Sequence, residues 1–211
     1  MNINLNLPFQ VDTDIVLTEI LKNGGFATIF KGLRKNMLVA VKGKHMYNKT
    51  SINEVKHMSL FIDSKINALP SFINCILNSE KNIRFIIMEY YEKSVFDHVS
   101  LRSSKILTFN EVLDMSYDIL DAMMFLNSFQ IIHADLKESN VIMKKQEIGP
   151  DSVCLIDFGS SKTFGEKNES TANVTLPYVG LWFHKDHAIN YSSDLFSLTV
   201  MLIKLLKINN F

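Results

Sequence analysis

"IIHADLKESNVIM", residues Ile131 to Met143, sets Asp135, Lys137 and Asn140 on a fixed rhythm behind His133. The apolar pairs Ile131–Ile132 and Val141–Ile142 bracket it. Such bracketing describes a polar loop pinned between two buried segments. The loop offers an acid, a cation and an amide within the six residues from Asp135 to Asn140, and Ala134 interrupts the polar run.

Downstream of this loop, "NVIM" and "SVCLI" read as short strands on either side of a turn through Gly149-Pro150. Asp157 follows at once and opens the tripeptide "DFG". The polar run from Ser160 to Asn173 has no periodicity and reads as a solvated loop. The chain closes on an apolar helix from about Ser193 to Leu206. Upstream, Thr108-Phe-Asn-Glu111 has the form of a capping box. Val112, Met115, Ile119, Met123 and Leu126 make an apolar stripe behind it.

The first ninety residues read mostly as strands: "IVLTEIL", "ATIFKGL", "MLVAVKGK" and "RFIIMEYY", with "NGGF" as a turn between the first two. One helix interrupts them. Ser51-Ile-Asn-Glu54 fits a second capping box, and Val55, Met58, Phe61 and Ile62 fall on one face behind it. A strand-rich part therefore precedes a helix-rich part, with the change near Tyr90 to Glu92.

Composition narrows the classes. The 211 residues suit one domain or two small lobes, and 47% apolar residues suffice for a core. A formal net charge of zero argues against nucleic acid or an anionic membrane as partner. Cys75 and Cys154 both sit among apolar neighbours, which points to a reducing, cytoplasmic compartment. "MNINLNLPFQ" lacks the basic start and apolar stretch of a signal peptide. No apolar run reaches the roughly 18 residues of a membrane helix. Neither a nucleic-acid nor a membrane partner is expected.

Taken singly, each motif has a plain reading. "DFG" can be a strand end running into a turn, "HADLKESN" a capped polar loop, Lys42 a strand-end lysine and Glu54 a helix-start acid. Their order and spacing together say more. Lys42 after "VAV", Glu54, the Asp135–Asn140 loop and Asp157 in "DFG" make the chain resemble a eukaryotic-type serine/threonine protein kinase. The resemblance implies an α+β, two-lobed fold. Residues 1–90 would be the N-lobe, an antiparallel sheet with one helix. Residues 91–211 would be a mainly helical C-lobe lacking its last helices.

It also implies ATP and Mg2+ as cofactors and roles for particular residues. Asp135 would be the catalytic base, with Lys137 beside it on the γ-phosphate. Asn140 and Asp157 would hold metal. ATP would meet the glycine turn at Gly24, Gly25 and Phe26, with Ile29 closing the strand after it. It would further meet Ala40, Lys42 with its partner Glu54, the hinge residues Met88, Glu89 and Tyr90, and Ile142. Lys137, and Thr175 in "TLPYVG", resemble the serine/threonine-specific members. Asp194 in "SSDLFSL" resembles the aspartate that opens the central C-lobe helix, and His133 would be structural.

Three departures stand out. The family's three glycine positions read Lys22, Gly24 and Ala27. Ala134 replaces an arginine that pairs with an activation-segment phosphate, which an alanine cannot do; activity independent of that phosphate is expected. Gly180-Leu181-Trp182 replaces Ala-Pro-Glu, and the chain stops at Phe211, before the late helices. An exposed central helix would then favour self-association or a protein partner beside the protein substrate. Three readings follow: an active minimal kinase, a pseudokinase or decoy that inhibits another kinase or its substrate, and a small-molecule kinase of related fold. The intact Lys42, Asp135, Asn140 and Asp157 favour the first.

Overall fold

The computed structural model describes residues 3–25, 27–145, 151–165, 175, 178 and 189–206. The chain divides into two compact units. The first takes residues 1–63 and 70–91; the second takes 64–69 and 92–211.

The first unit is an antiparallel sheet of β1 (Phe9–Gln10), β2 (Ile15–Asn23), β3 (Thr28–Arg34), β4 (Met37–His45), β5 (Phe72–Asn78) and β6 (Ile83–Glu89). Their spatial order is β1-β2-β3-β4-β6-β5. Between β3 and β4 the pair Arg34↔Met37 leaves a two-residue turn. Lys35 and Asn36 take positive φ there, 48° and 67°, as a tight hairpin with the sheet's twist requires. Strand alternation then sorts the side chains. Val39 and Val41 of β4 face a core with Leu17, Phe30, Phe85 and Ile87. Fully burying each large apolar side chain there contributes about 1.5–3 kcal/mol. Gly43 falls on the same face, where a Cβ would lie 3.1 Å from Ile3 Cδ1 and 3.2 Å from Phe30 Cε2. Ala40, Lys42 and Lys44 point to the opposite face.

The helix α1 runs Lys49–Ser59, two residues earlier than the expected start at Ser51. Asn48 caps it, accepting from Thr50 N at 2.9 Å and Ser51 N at 3.3 Å. Asparagine caps as well as serine and comes first along the chain. The expected Ser51–Glu54 box does not form, and the Ser51 hydroxyl donates back to Asn48 O at 2.8 Å. Met58 is buried within the helix; beyond its end at Ser59 the helical face no longer continues, and Phe61 is buried while Ile62 is 58% exposed.

The second unit contains α2 (Val95–Ser100), α3 (Phe109–Ser128), β7 (Ile131–Ile132), β8 (Val141–Lys144), β9 (Ser152–Leu155), β10 (Lys162–Thr163) and α4 (Tyr191–Leu205). The expected capping box forms at α3: the Thr108 hydroxyl accepts from Glu111 N, and the Glu111 carboxylate accepts from Thr108 N. Val112, Met115, Ile119, Ala122 and Leu126 are the buried stripe. Met123 is half-buried beside it. At α4, Asn190 is the cap, and Leu198, Met201 and Leu205 are buried, with Leu195 half-exposed. Leu107 N donates to Leu205 O at 3.2 Å, tying the start of α3 to the end of α4.

Two small antiparallel ladders frame the polar loop. β10 pairs β7, and β8 pairs β9 with Val141 opposite Leu155. The expected turn at Gly149-Pro150 and residues 166–173 of the polar run lie outside the described residues. Cys75 is half-buried and Cys154 buried, both free thiols. Among the described residues no helix is long and apolar enough to cross a membrane.

Candidate functional site

In the first unit the register places Ile29, Ala40, Lys42 and Met88 on the sheet face opposite the core, whereas Glu89, across from Val39, falls on the core side. Ile29 lies across from Lys42, and Ala40 across from Met88. Directly opposed residues of an antiparallel pair share a face. The glycine turn is closed by Gly24 N donating to Ala27 O at 2.9 Å. Glu89 ends β6 and accepts from the Tyr91 hydroxyl at 2.6 Å, and Tyr90 lies under the Lys31 ammonium, 5.2 Å from the ring centre. Lys42 and Glu54 do meet: Nζ lies 2.5 Å from Oε1, and both side chains are buried. A second lysine, absent from the sequence reading, joins them. Lys44 Nζ lies 2.7 Å from Oε2 of the same carboxylate. Strand period two was the available signal, since positions 42 and 44 must share a face.

In the second unit the polar loop is held from beneath. Asp194 accepts from His133 N at 2.7 Å and from Ala134 N at 2.9 Å. Burial pushes the Asp194 carboxyl up from the carboxylate range, while the two N–H donors and the His133 imidazole pull the other way. Ala134 takes φ 64°, a left-handed conformation that disfavours any side chain. The His133 ring packs edge-on against Phe158, with centres 5.0 Å apart, and its Nε2 lies 3.0 Å from Ile156 O.

The loop's polar side chains converge on Asp135. Lys137 Nζ donates to its Oδ2 at 2.7 Å and Oδ1 at 3.0 Å. The Thr175 hydroxyl donates to Oδ1 at 2.7 Å and accepts from Lys137 Nζ at 3.0 Å. Asn140 Nδ2 donates to Asp135 O at 2.8 Å and Oδ2 at 2.9 Å. Acid, cation, amide and hydroxyl thus form one connected network.

The β8–β9 ladder brings the two expected metal residues to one end of a hairpin. Asn140 precedes Val141, its O accepts from Ile156 N at 2.9 Å, and Asp157 is next in the chain. Asp157 takes φ 65° and accepts from Gly159 N at 3.3 Å. Both Asn140 Nδ2 contacts go to Asp135, so Oδ1 is the end of the amide left to face a cation. Among the described residues no three His, Cys, Asp or Glu side chains gather as a metal cluster. One amide oxygen and one carboxylate fit Mg2+, which takes few protein ligands beside phosphate oxygens and water.

Ile142 is half-buried on β8, opposite Cys154 and bridged to Ser94. One further contact has no signature in the sequence: the Tyr178 hydroxyl donates to Glu138 of the loop, and Lys204 Nζ sits 3.9 Å from the Tyr178 ring centre. Burial first, then Glu138, raises the Tyr178 phenol above its usual range. Nothing local marks that pair, which is 40 residues apart. Phe26 and Gly180-Leu181-Trp182 lie outside the described residues.

Comparison with known proteins agrees with this geometry. A kinase domain solved by crystallography superposes with a TM-score of 0.83 over 97% of this chain and 67% of that one, at 16% identity. The fold is therefore the α+β kinase fold. The probable serine/threonine-protein kinase gdt4 of Dictyostelium discoideum is 28% identical over 212 residues, 98% of this chain and 13% of that protein. Wall-associated receptor kinase 2 of Arabidopsis thaliana is 27% identical over 201 residues, 90% of this chain and 26% of that protein. The chain thus spans under a third of these curated relatives. Residues 15–210 match the family described as protein kinase domain, and the chain belongs to that family.

Proposed function

We propose that the chain transfers the γ-phosphoryl group of Mg-ATP to serine or threonine hydroxyls of protein substrates. The observation that carries this reading is the network on Asp135, with Lys137, Thr175 and Asn140 all bonded to one carboxylate. Phosphoryl transfer asks a protein for positioning and charge neutralisation more than for covalent chemistry. In this reading Asp135 orients the acceptor hydroxyl and takes its proton as the oxygen bonds phosphorus and the bond to the β-phosphate oxygen breaks. Lys137 directs its ammonium to the γ-phosphate oxygens. Lys42, paired with Glu54, holds the other phosphates. Bound by Asn140 and Asp157, Mg2+ would supply neutralisation of the phosphate charge.

Two features support the finer points. The Lys137–Thr175 contact at 3.0 Å supports serine/threonine preference, as the family resemblance implies for this pair. Ala134 leaves the loop without a guanidinium, and its N–H is held by Asp194. That supports a loop set without activation-segment phosphorylation.

The test is phosphate transfer from labelled Mg-ATP to the protein itself and to a generic basic protein, beside Asp157→Asn. Transfer that vanishes in the variant is the expected result. Mg-ATP binding without transfer in the unaltered chain would refute the catalytic reading and favour a decoy.

A further inference from the structure

Glu54 is gripped twice. Its Oε1 lies 2.5 Å from Lys42 Nζ and its Oε2 2.7 Å from Lys44 Nζ. Lys42 is 4% exposed, Lys44 3% and Glu54 0%, so both contacts work in a medium that screens charge weakly. Lys44 also reaches Thr50 Oγ1 at 3.5 Å. Thr50 and Glu54 stand one helical turn apart on the same face of α1. Lys44 therefore ties β4 to α1 at two heights, and one of those ties does not involve Glu54.

The family resemblance assigns Glu54 a single lysine, Lys42. With one lysine, the carboxylate and the nucleotide phosphates compete for one ammonium. Drawing Lys42 toward phosphate would then weaken the pairing of a buried carboxylate, which is strongly unfavourable. We infer that Lys44 is a positioning residue for the phosphate-holding lysine. It keeps Glu54 paired and α1 seated whatever Lys42 does, so that Lys42 turns to phosphate without leaving a buried carboxylate unpaired. This role rests on the nucleotide reading above. Lys44 touches neither phosphate nor acceptor in it; the residue acts through Glu54.

A merely structural lysine would affect every ligand alike, whereas this role concerns phosphate only. The experiment measures Mg-ATP and adenosine affinity by titration calorimetry on the full chain. The variants are Lys44→Met, Lys44→Arg, Lys42→Met and the double Lys42→Met/Lys44→Met, with thermal unfolding of each. Loss of one charge-assisted hydrogen bond predicts Mg-ATP weakened about tenfold or more in Lys44→Met. Adenosine should stay within about twofold, and Lys44→Arg should recover most of the loss. Either lysine alone keeps Glu54 paired, so the double variant should lose more Tm than the two singles summed. Should Lys44→Met not fold, Lys44→Gln, which is one atom shorter, uncharged and retains a donor, carries the comparison.

Parallel weakening of ATP and adenosine overturns the inference, as does unchanged Mg-ATP affinity in a folded Lys44→Met, or additive Tm losses. In those cases the unaltered chain still binds Mg-ATP and the nucleotide reading stands. An unaltered chain that binds neither ligand overturns the nucleotide reading, and this role with it.

Discussion

Asp194→Ala removes one side chain from beneath the polar loop, and its effect can be worked from the contacts. The carboxylate is 4% exposed and accepts His133 N at 2.7 Å and Ala134 N at 2.9 Å. Each buried backbone donor left without an acceptor costs roughly 1–3 kcal/mol, so the pair costs roughly 2–6. Burial raises the pKa of this carboxyl, which means that charging it in place is itself unfavourable. Relief of desolvation offsets part of that loss, which sets the expectation in the lower half of the range, at about 3 kcal/mol. For a chain of this size that lowers Tm by about 6–12 °C. Asp194→Asn keeps one acceptor oxygen and should lose about half as much. The assay is urea unfolding followed by circular dichroism, where the midpoint should fall with the slope unchanged. Phosphate transfer on the same samples, well below unfolding, should fall about tenfold or more, because Asp135 follows the two anchored N–H groups. A loss under about 1 kcal/mol for alanine, or equal losses for alanine and asparagine, would refute the anchoring argument.

Further outcomes follow from other contacts. Arg102 grips Glu111 through both guanidinium ends and lowers its carboxyl from 4.5 to about 2. A depressed acid stabilises the fold above its unfolded pKa, so this contribution is present above pH 4.5 and is lost as pH falls toward about 2. The side chains are 30% and 39% exposed, so solvent screening reduces it to about 1 kcal/mol, and Glu111→Gln should flatten the acid limb of a stability–pH curve by that amount. Thr175→Val removes the hydroxyl shared by Asp135 and Lys137 and should cut phosphate transfer about tenfold, while Thr175→Ser retains it; equal rates for the two would contradict the network. Gly43→Ala drives a Cβ to 3.1 Å from Ile3 Cδ1 and should cost about 1–3 kcal/mol in urea unfolding; a gain in stability would show that the core yields there.

How far the sequence discloses this molecule depends on how local each cause is. β2, β3, β4 and β6 are legible because β-branched and apolar residues recur between clear turn signals. β5 hides, since "FINCILN" runs along the sheet edge, is half-buried at most positions and carries a register shift between Phe72 and Asn74. The α3 box is legible and the α1 box is misplaced for one reason: Asn48 caps equally well and precedes Ser51. The identities at Asp135, Lys137, Asn140 and Asp157 are readable, as is the Lys42–Glu54 pairing. The left-handed backbone of Ala134 is not, because an acceptor 60 residues away holds it. The Tyr178–Glu138 bond escapes for the same reason.

The β8–β9 ladder has a consequence for engineering. Asn140 and Asp157 are 17 positions apart in the chain, yet four paired residues per strand set their mutual placement. The hydrogen-bonded pairs of the ladder hold that placement. The closure entropy of chain joining two paired strands grows slowly with its length, by about 0.6 kcal/mol for each doubling. A short epitope or a fluorophore-bearing peptide spliced between Lys145 and Asp151 should leave Asn140 and Asp157 in register. That makes the interval a handle for labelling the protein without disturbing that register.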